Sequence, residues 1–204
     1  MKKYLWIFLI LGLVVGITVF AVINKKDENY ISEKTGTSIN NKNSDIFNYI
    51  TNNTEEKIAE FSTKLTKDTE ERDLNIELAC DTLNGTVVKS GEIFSFWDNL
   101  GATTKERGYK KAKTFTSDGE IIQSYGGGVC QISTTIYNAV LKVEGLKVTE
   151  RHEHSKNVAY IEDGKDAAVS YGNSDFKFKN NLDYDIRIDA KVEERTVKIT
   201  LVRI

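Results

Sequence analysis

Three consecutive glycines, Gly126, Gly127 and Gly128, stand just before Cys130 in the stretch "SYGGGVCQISTT". The residues after the cysteine place Ile132, Ile136, Ala139, Val140 and Val143 on one helical face, with Gly145 as a stop. Cys130 is therefore expected at a helix amino terminus, where unpaired N–H groups and the positive end of the helix dipole favour a thiolate over a thiol. The glycines let a substrate carbonyl approach the main chain, and their N–H groups, with that of Cys130 or Gln131, are candidate oxyanion donors. Tyr125, Gln131 and Ser133 flank the cysteine as candidate substrate contacts. Two plainer readings compete: a buried cysteine in a tight strand-to-helix turn, and a Cys80–Cys130 disulfide.

A nucleophilic thiol needs a base, and the two histidines of the chain, His152 and His154, occur together in "VTERHEHSKNVAY". On a strand, residues two apart share a face, so both imidazoles are expected to reach one site. Either can take the thiol proton and later protonate a leaving amine. Asp166 in "GKDAAVSYG" is the candidate to orient that base, with Asp175 and Asn157 as alternatives. Cys130, His152 and His154 are also of metal-ligand type, but no spaced Cys/His cluster accompanies them, so the base role ranks first and neither metal nor cofactor is expected.

The elements that must position these groups read as a single mixed α+β domain with antiparallel strands. Ala59, Phe61 and Leu65 alternate as on a half-buried strand. Leu74, Leu78, Ala79 and Leu83 recur at helical spacing, carry Cys80 on or near a buried side, and stop at Asn84-Gly85. Ala112, Thr114 and Thr116 alternate before a turn at Asp118-Gly119, which predicts a hairpin leading into the glycines. A second hairpin is expected from Tyr184, Ile186, Ile188, Ala190 and Val192, a turn at 193–195, then Val197, Ile199 and Leu201.

Ahead of the domain, residues 4–23 form an almost wholly apolar run of membrane-spanning length. It is expected to be a single-pass anchor with a cytoplasmic tail at 1–3. A polar tether follows at 24–45, and the domain, 46–204, is then expected on the extracytoplasmic face. With 28 Lys and Arg against 30 Asp and Glu, nothing suggests a nucleic-acid surface.

"GEIFSF", "GATTKERGYKKA", "GGGVCQISTTIYNAVL" and "ERHEHSKNVAYIEDGKDAAVSYGNSDFKFKNN" together resemble the VanW domain family, from about Arg72 to the carboxy terminus. Members are commonly anchored or secreted proteins of Gram-positive bacteria, associated with vancomycin resistance and peptidoglycan, and some are described as L,D-transpeptidases that use the motif cysteine. The resemblance implies Cys130 as nucleophile, His152 and His154 at the family's histidine positions, and peptidoglycan stem peptides as partners. It implies 3-3 crosslinking through a thioester, with a cysteine peptidase or carboxypeptidase as the rival enzyme. A non-catalytic wall-binding module, with Phe94, Phe96, Trp97 and Tyr109 lining a groove, is the rival of another class. Trp97 stands where the family usually has Asn, and Cys80 belongs to no family motif.

Overall fold

The computed structural model describes residues 55–116 and 119–204. The expected tail, anchor and tether, the first residues of the expected domain and Asp118 of the hairpin turn lie outside them. In chain order the elements are β1 (Glu56–Lys64), α1 (Glu70–Leu83), β2 (Thr86–Val88), β3 (Ile93–Ser95), α2 (Phe96–Leu100), β4 (Lys111–Phe115), β5 (Ile121–Tyr125), α3 (Val129–Val140), β6 (Leu146–Glu150), β7 (Lys177–Asn180), β8 (Ile186–Glu193) and β9 (Thr196–Arg203). Among the described residues no helix is long and apolar enough to cross a membrane.

Strict alternation at the carboxy terminus makes the sheet that supports the rest. β1, β9, β8 and β2 pair antiparallel in that order. Ile186, Ile188, Ala190, Val197, Ile199 and Leu201 all face inward, none more than 3% exposed. Each of the larger aliphatic side chains contributes about 2 kcal/mol by leaving water. α1 packs on β8, and α3 packs on β1 and β9 beside α1. A second sheet, β3-β7-β6, stacks Phe94 on Phe178 with ring centroids 5.0 Å apart. Tyr137 meets Phe176 edge-on at 5.8 Å and joins α3 to this aromatic cluster. α3 is thus enclosed on most sides, which its apolar stripe alone did not imply.

β4 and β5 form the expected hairpin as a separate two-stranded sheet, leaving Phe115, Ile121 and Ile122 exposed. α1 starts at Thr69, whose hydroxyl accepts from the Arg72 N–H, with Glu70, Glu71 and Asp73 complementing the helix dipole. Its buried face is Arg72, Asn75, Ile76, Ala79, Cys80 and Leu83, whereas Leu74 is 44% exposed. The expected stripe was therefore rotated, because it followed leucines and passed over polar residues in phase with Ile76 and Leu83. α3 is also shorter than its apolar pattern predicts: it ends at Val140, and Val143 lies in the turn before Gly145.

The β8–β9 turn places Glu194 at φ 46 and Arg195 at φ 56, and Glu193 pairs with Thr196. Two left-handed residues between paired strands give a type I′ turn, in which non-glycine side chains are strained. Asparagine tolerates that conformation better, so Glu194→Asn is expected to stabilise the domain by about 0.5 kcal/mol. Urea unfolding checks this; a lower midpoint for the variant would contradict it.

Candidate functional site

β5 hands the chain to α3 through the three glycines, and Asn75 fixes that passage. Its Nδ2 donates to the carbonyls of Lys110 (3.0 Å) and Gly127 (3.1 Å), and its Oδ1 accepts from the Lys110 N–H (2.7 Å). A Cβ at Gly127 would stand 2.6 Å from the Ala112 carbonyl oxygen, so β4 admits only glycine there. Gly128, the N-cap, sits at φ 114. Cys130 follows as the second residue of α3 and is partly exposed.

Four amides of this passage are spent within the protein. Gly126 donates to Lys110 (3.2 Å), Gly127 to Ser124 (3.4 Å), Val129 to Gly126 (3.2 Å) and Gln131 to Gly128 (3.0 Å). The N–H groups of Gly128 and Cys130 have no acceptor among the described residues. The candidate oxyanion donors therefore narrow to those two, and Gly126, Gly127 and Gln131 leave the expected set.

Buried polar groups on α3 then bring in the opposite wall. Ser133 Oγ donates to the Ala167 carbonyl (2.6 Å), Thr134 Oγ1 accepts from the Ala167 N–H (2.9 Å), and Asn138 Nδ2 donates to the Lys165 carbonyl (2.7 Å). These bonds lay segment 165–169 along the helix, with the Cys130 thiol donating to the Val169 carbonyl at 3.3 Å. Ser133 and Gln131 are fully buried. The Gln131 side chain bonds Arg72, Thr63 and the Lys64 carbonyl. Neither side chain is available to a substrate; both hold α3 in place. Tyr125 stays half-buried at the end of β5, its ring under Lys111.

Asp166 is the residue between those anchor points. Its Oδ2 accepts from both the His154 N–H (2.6 Å) and His154 Nδ1 (2.5 Å), and its Oδ1 accepts from Arg151 (3.0 Å). Nδ1 being committed, Nε2 is the ring nitrogen left free. Burial works against the imidazolium, but hydrogen bonds to Cys130 and Asp166 outweigh it and raise the His154 pKa above its ordinary 6.5. The Asp166 carboxyl is itself lowered: burial opposes this, and hydrogen bonds from His154 prevail.

His152 does not join them. β6 ends at Glu150 and His152 pairs its backbone with Ala168, so the strand geometry that would align both imidazoles stops short of His154. The His152 ring is exposed and bonds Glu150 at 3.0 Å, a carboxyl drawn down to about 2 by hydrogen bonds from Lys177 and His152. With His152 diverted, the Cys130–His152–His154 ligand set does not converge. Asp175 and Asn157 are engaged elsewhere: Asp175 holds Ser95 (2.6 Å) and the Trp97 N–H (3.2 Å), and Asn157 bonds Asp163. Phe94, Phe96 and Tyr109 are each at most 1% exposed, so they line core rather than a groove.

Three residues of the site escaped the sequence reading. Arg151 stacks over the Tyr137 ring at 5.2 Å while gripping Asp166. Arg72 donates from Nη2 to Gln131 Oε1 at 3.0 Å. Tyr160 is half-buried; burial drives its phenol up, the nearby Cys130 adds to this, and Thr134 and the Arg72 charge oppose it. A polar residue in phase with the buried stripe of α1 was the signal for Arg72; Tyr160, in a loop, carried none. Beside His154 and Asp166 opens a cavity of about 190 Å³, also lined by Glu153, Glu162 and Asp163.

Both cysteines are free, and Cys80 is 1% exposed. Burial pushes the Cys80 thiol up to about 12. Iodoacetamide at pH 8 is accordingly expected to label Cys130 and spare Cys80 in the native protein, as peptide mass mapping reads; labelling of Cys80 first, or a recovered disulfide, would refute this arrangement. The raised His154 pKa has its own consequence. Its contribution to stability is fully present below pH 6.5 and is lost as pH rises through the higher folded value. Urea midpoints should therefore fall from pH 6 toward pH 8.5, and His154→Ala should flatten that slope.

A family model described as "VanW like protein" matches residues 71–202. The chain is 36% identical over 146 residues to "Uncharacterized protein YoaR" of Bacillus subtilis (strain 168), covering 72% of this chain and 48% of that protein. It is 31% identical over 134 residues to "Vancomycin B-type resistance protein VanW" of Enterococcus faecalis (strain ATCC 700802 / V583), covering 63% of this chain and 48% of that protein. The chain thus spans about half the length of these curated relatives. No solved structure matches. The matched stretch holds the α1 face, the glycine passage, Cys130, His154 and Asp166, and on that match the chain belongs to the VanW-like family.

Proposed function

We propose that this protein is a cysteine acyltransferase of the cell wall, acting on peptidoglycan stem peptides as an L,D-transpeptidase. The observation that carries the reading is a partly exposed cysteine at the start of α3, bonded to the segment 165–169 whose Asp166 holds His154 Nδ1. Membership in the family of a vancomycin-resistance protein supports a cell-wall role. The apolar run at 4–23 supports an anchored enzyme working outside the membrane.

In this reading His154 takes the Cys130 proton, and the thiolate attacks the carbonyl of the third residue of a tetrapeptide stem. The C–S bond forms, and the oxyanion is met by the N–H groups of Gly128 and Cys130. Protonated His154 gives its proton to the departing amine as the C–N bond breaks, releasing D-alanine and leaving a thioester. An acceptor side-chain amine then attacks the thioester, loses its proton to His154, and expels the thiolate to complete a 3-3 crosslink. Asp166 keeps the imidazole in one orientation throughout, and Arg151 holds Asp166.

The test is intact-protein mass spectrometry and muropeptide product analysis with the full chain in detergent and tetrapeptide-stem substrate. A covalent adduct and new dimers that vanish in Cys130→Ala and fall at least a hundredfold in His154→Ala are the expected result. His152→Ala should stay within about threefold of wild type, since its ring faces Glu150. Shortened stems without dimers would reassign the acceptor to water and the enzyme to carboxypeptidases. Full activity in Cys130→Ala would overturn the nucleophile.

A further inference from the structure

Arg72 is 7% exposed, and its Nη1 is buried with no hydrogen-bond partner. Its Nη2 meets only the neutral side chain of Gln131, and no carboxylate forms an ion pair with it among the described residues. A guanidinium taken out of water without an anion is costly, and proteins seldom retain one without a partner that the resting form conceals. Its place says what that partner is. The Arg72 Cγ lies 3.0 Å from where a Cβ on Gly128 would be, at the start of the helix that carries Cys130, and Gln131 is the next residue along. The half-buried Tyr160, on the facing 151–169 stretch, is acted on by both Cys130 and Arg72.

Counting charge completes the case. When Cys130 passes its proton to His154, the imidazolium faces Asp166, which already lies against it. Asp166 is already paired with Arg151 at 3.0 Å, so imidazolium and thiolate balance each other, and Arg72 is the buried cation of this region left without an anion. No charged residue lies in the first turn of α3, and the ionisable groups around the sulfur are Arg151, His154, Tyr160 and Asp166 from the 151–169 stretch and Arg72 from α1. A neutral prop for Gln131 would not require a guanidinium.

We propose that Arg72 is the fixed counter-charge of the Cys130 thiolate, a positioning residue acting from beside the start of α3. This rests on the reading of Cys130 as nucleophile. The interior between them screens poorly, so the charge acts without touching substrate. It biases the thiol–imidazole pair toward thiolate and imidazolium before substrate arrives.

The experiment is the pH profile of Cys130 alkylation by iodoacetamide in the full chain, read by peptide mass, for wild type, Arg72→Gln, Arg72→Lys and Tyr160→Phe. Arg72→Gln is expected to raise the midpoint by about one pH unit and to slow alkylation below it about tenfold. Arg72→Lys, which keeps the charge, should hold the midpoint within about 0.3 unit, and Tyr160→Phe should move it partway. An unmoved midpoint in folded Arg72→Gln would overturn the proposal. So would equal losses in the glutamine and lysine variants, the mark of a structural prop. Should the glutamine variant fail to fold, the lysine variant decides: a kept midpoint upholds the counter-charge, and a shift of a full unit overturns it. No substrate enters this measurement, so it stands apart from the functional reading, whose own failure would show as activity surviving in Cys130→Ala.

Discussion

The hydrogen bonds that Ser133, Thr134 and Asn138 make to segment 165–169 govern the rest of this site. They run from one helix to a segment without regular pairing, and they are buried, so breaking any one leaves a donor or acceptor stranded at a cost of about 1–3 kcal/mol. Because Lys165 and Ala167 are pinned, Asp166 between them has little freedom. Because Asp166 is pinned, both the backbone and the ring of His154 are drawn to it. The same helix starts at the passage that presents Cys130. Cys130, His154 and Asp166 are therefore referred to a single rigid element, as the proposed reaction, which tolerates little misplacement, requires.

That element must itself be held, and its neighbours show how. The Thr135 hydroxyl meets Thr63 of β1 at 2.8 Å, and Gln131 reaches Thr63 and the Lys64 carbonyl from the same side. Tyr137 leans on Phe176 from the other sheet. α3 thus joins the four-stranded sheet to the aromatic one, and its polar residues are interior because each finds a partner there. The glycine passage is fixed from α1, where Asn75 clamps the backbone of β4 to that of Gly127. Removing these polar contacts for apolar ones would spare desolvation, but it would release the segment that aims Asp166.

Much of this was legible in the residues. Alternation found β1, the β4–β5 hairpin and the β8–β9 hairpin, since a half-buried strand leaves its period in the sequence whatever it packs against. The glycines and the apolar stripe beyond them placed Cys130 at a helix start. What failed did so for reasons of tertiary context. The face of α1 was misplaced because Arg72 and Asn75 are buried for their hydrogen bonds, which hydrophobic periodicity cannot register. The two histidines part company because β6 stops before them, and strand endings depend on partners distant in sequence. Gln131 and Ser133 turn inward because a helix enclosed on several sides buries polar residues along with apolar ones. Arg151 and Tyr160 gave no local signal, being arginine and tyrosine in a polar loop that folding brings home.

The interior polar groups around α3 divide into two sorts by a simple criterion, whether each is satisfied in the resting protein. Ser133, Thr134, Thr135, Asn138 and the amide of Gln131 all have acceptors or donors at ordinary distances, and a fully satisfied network specifies a single packing. The Gly128 and Cys130 amides and Arg72 Nη1 do not. These three N–H donors lie at or beside the first turn of α3, whereas the other buried unpartnered side-chain atoms among the described residues, Asp73 Oδ1 and Tyr109 Oη, lie on α1 and in the loop before β4. On the proposed reading of Cys130 as nucleophile, these N–H groups are placed to meet charge that arises there, first on sulfur and then on the oxygen of an attacked carbonyl.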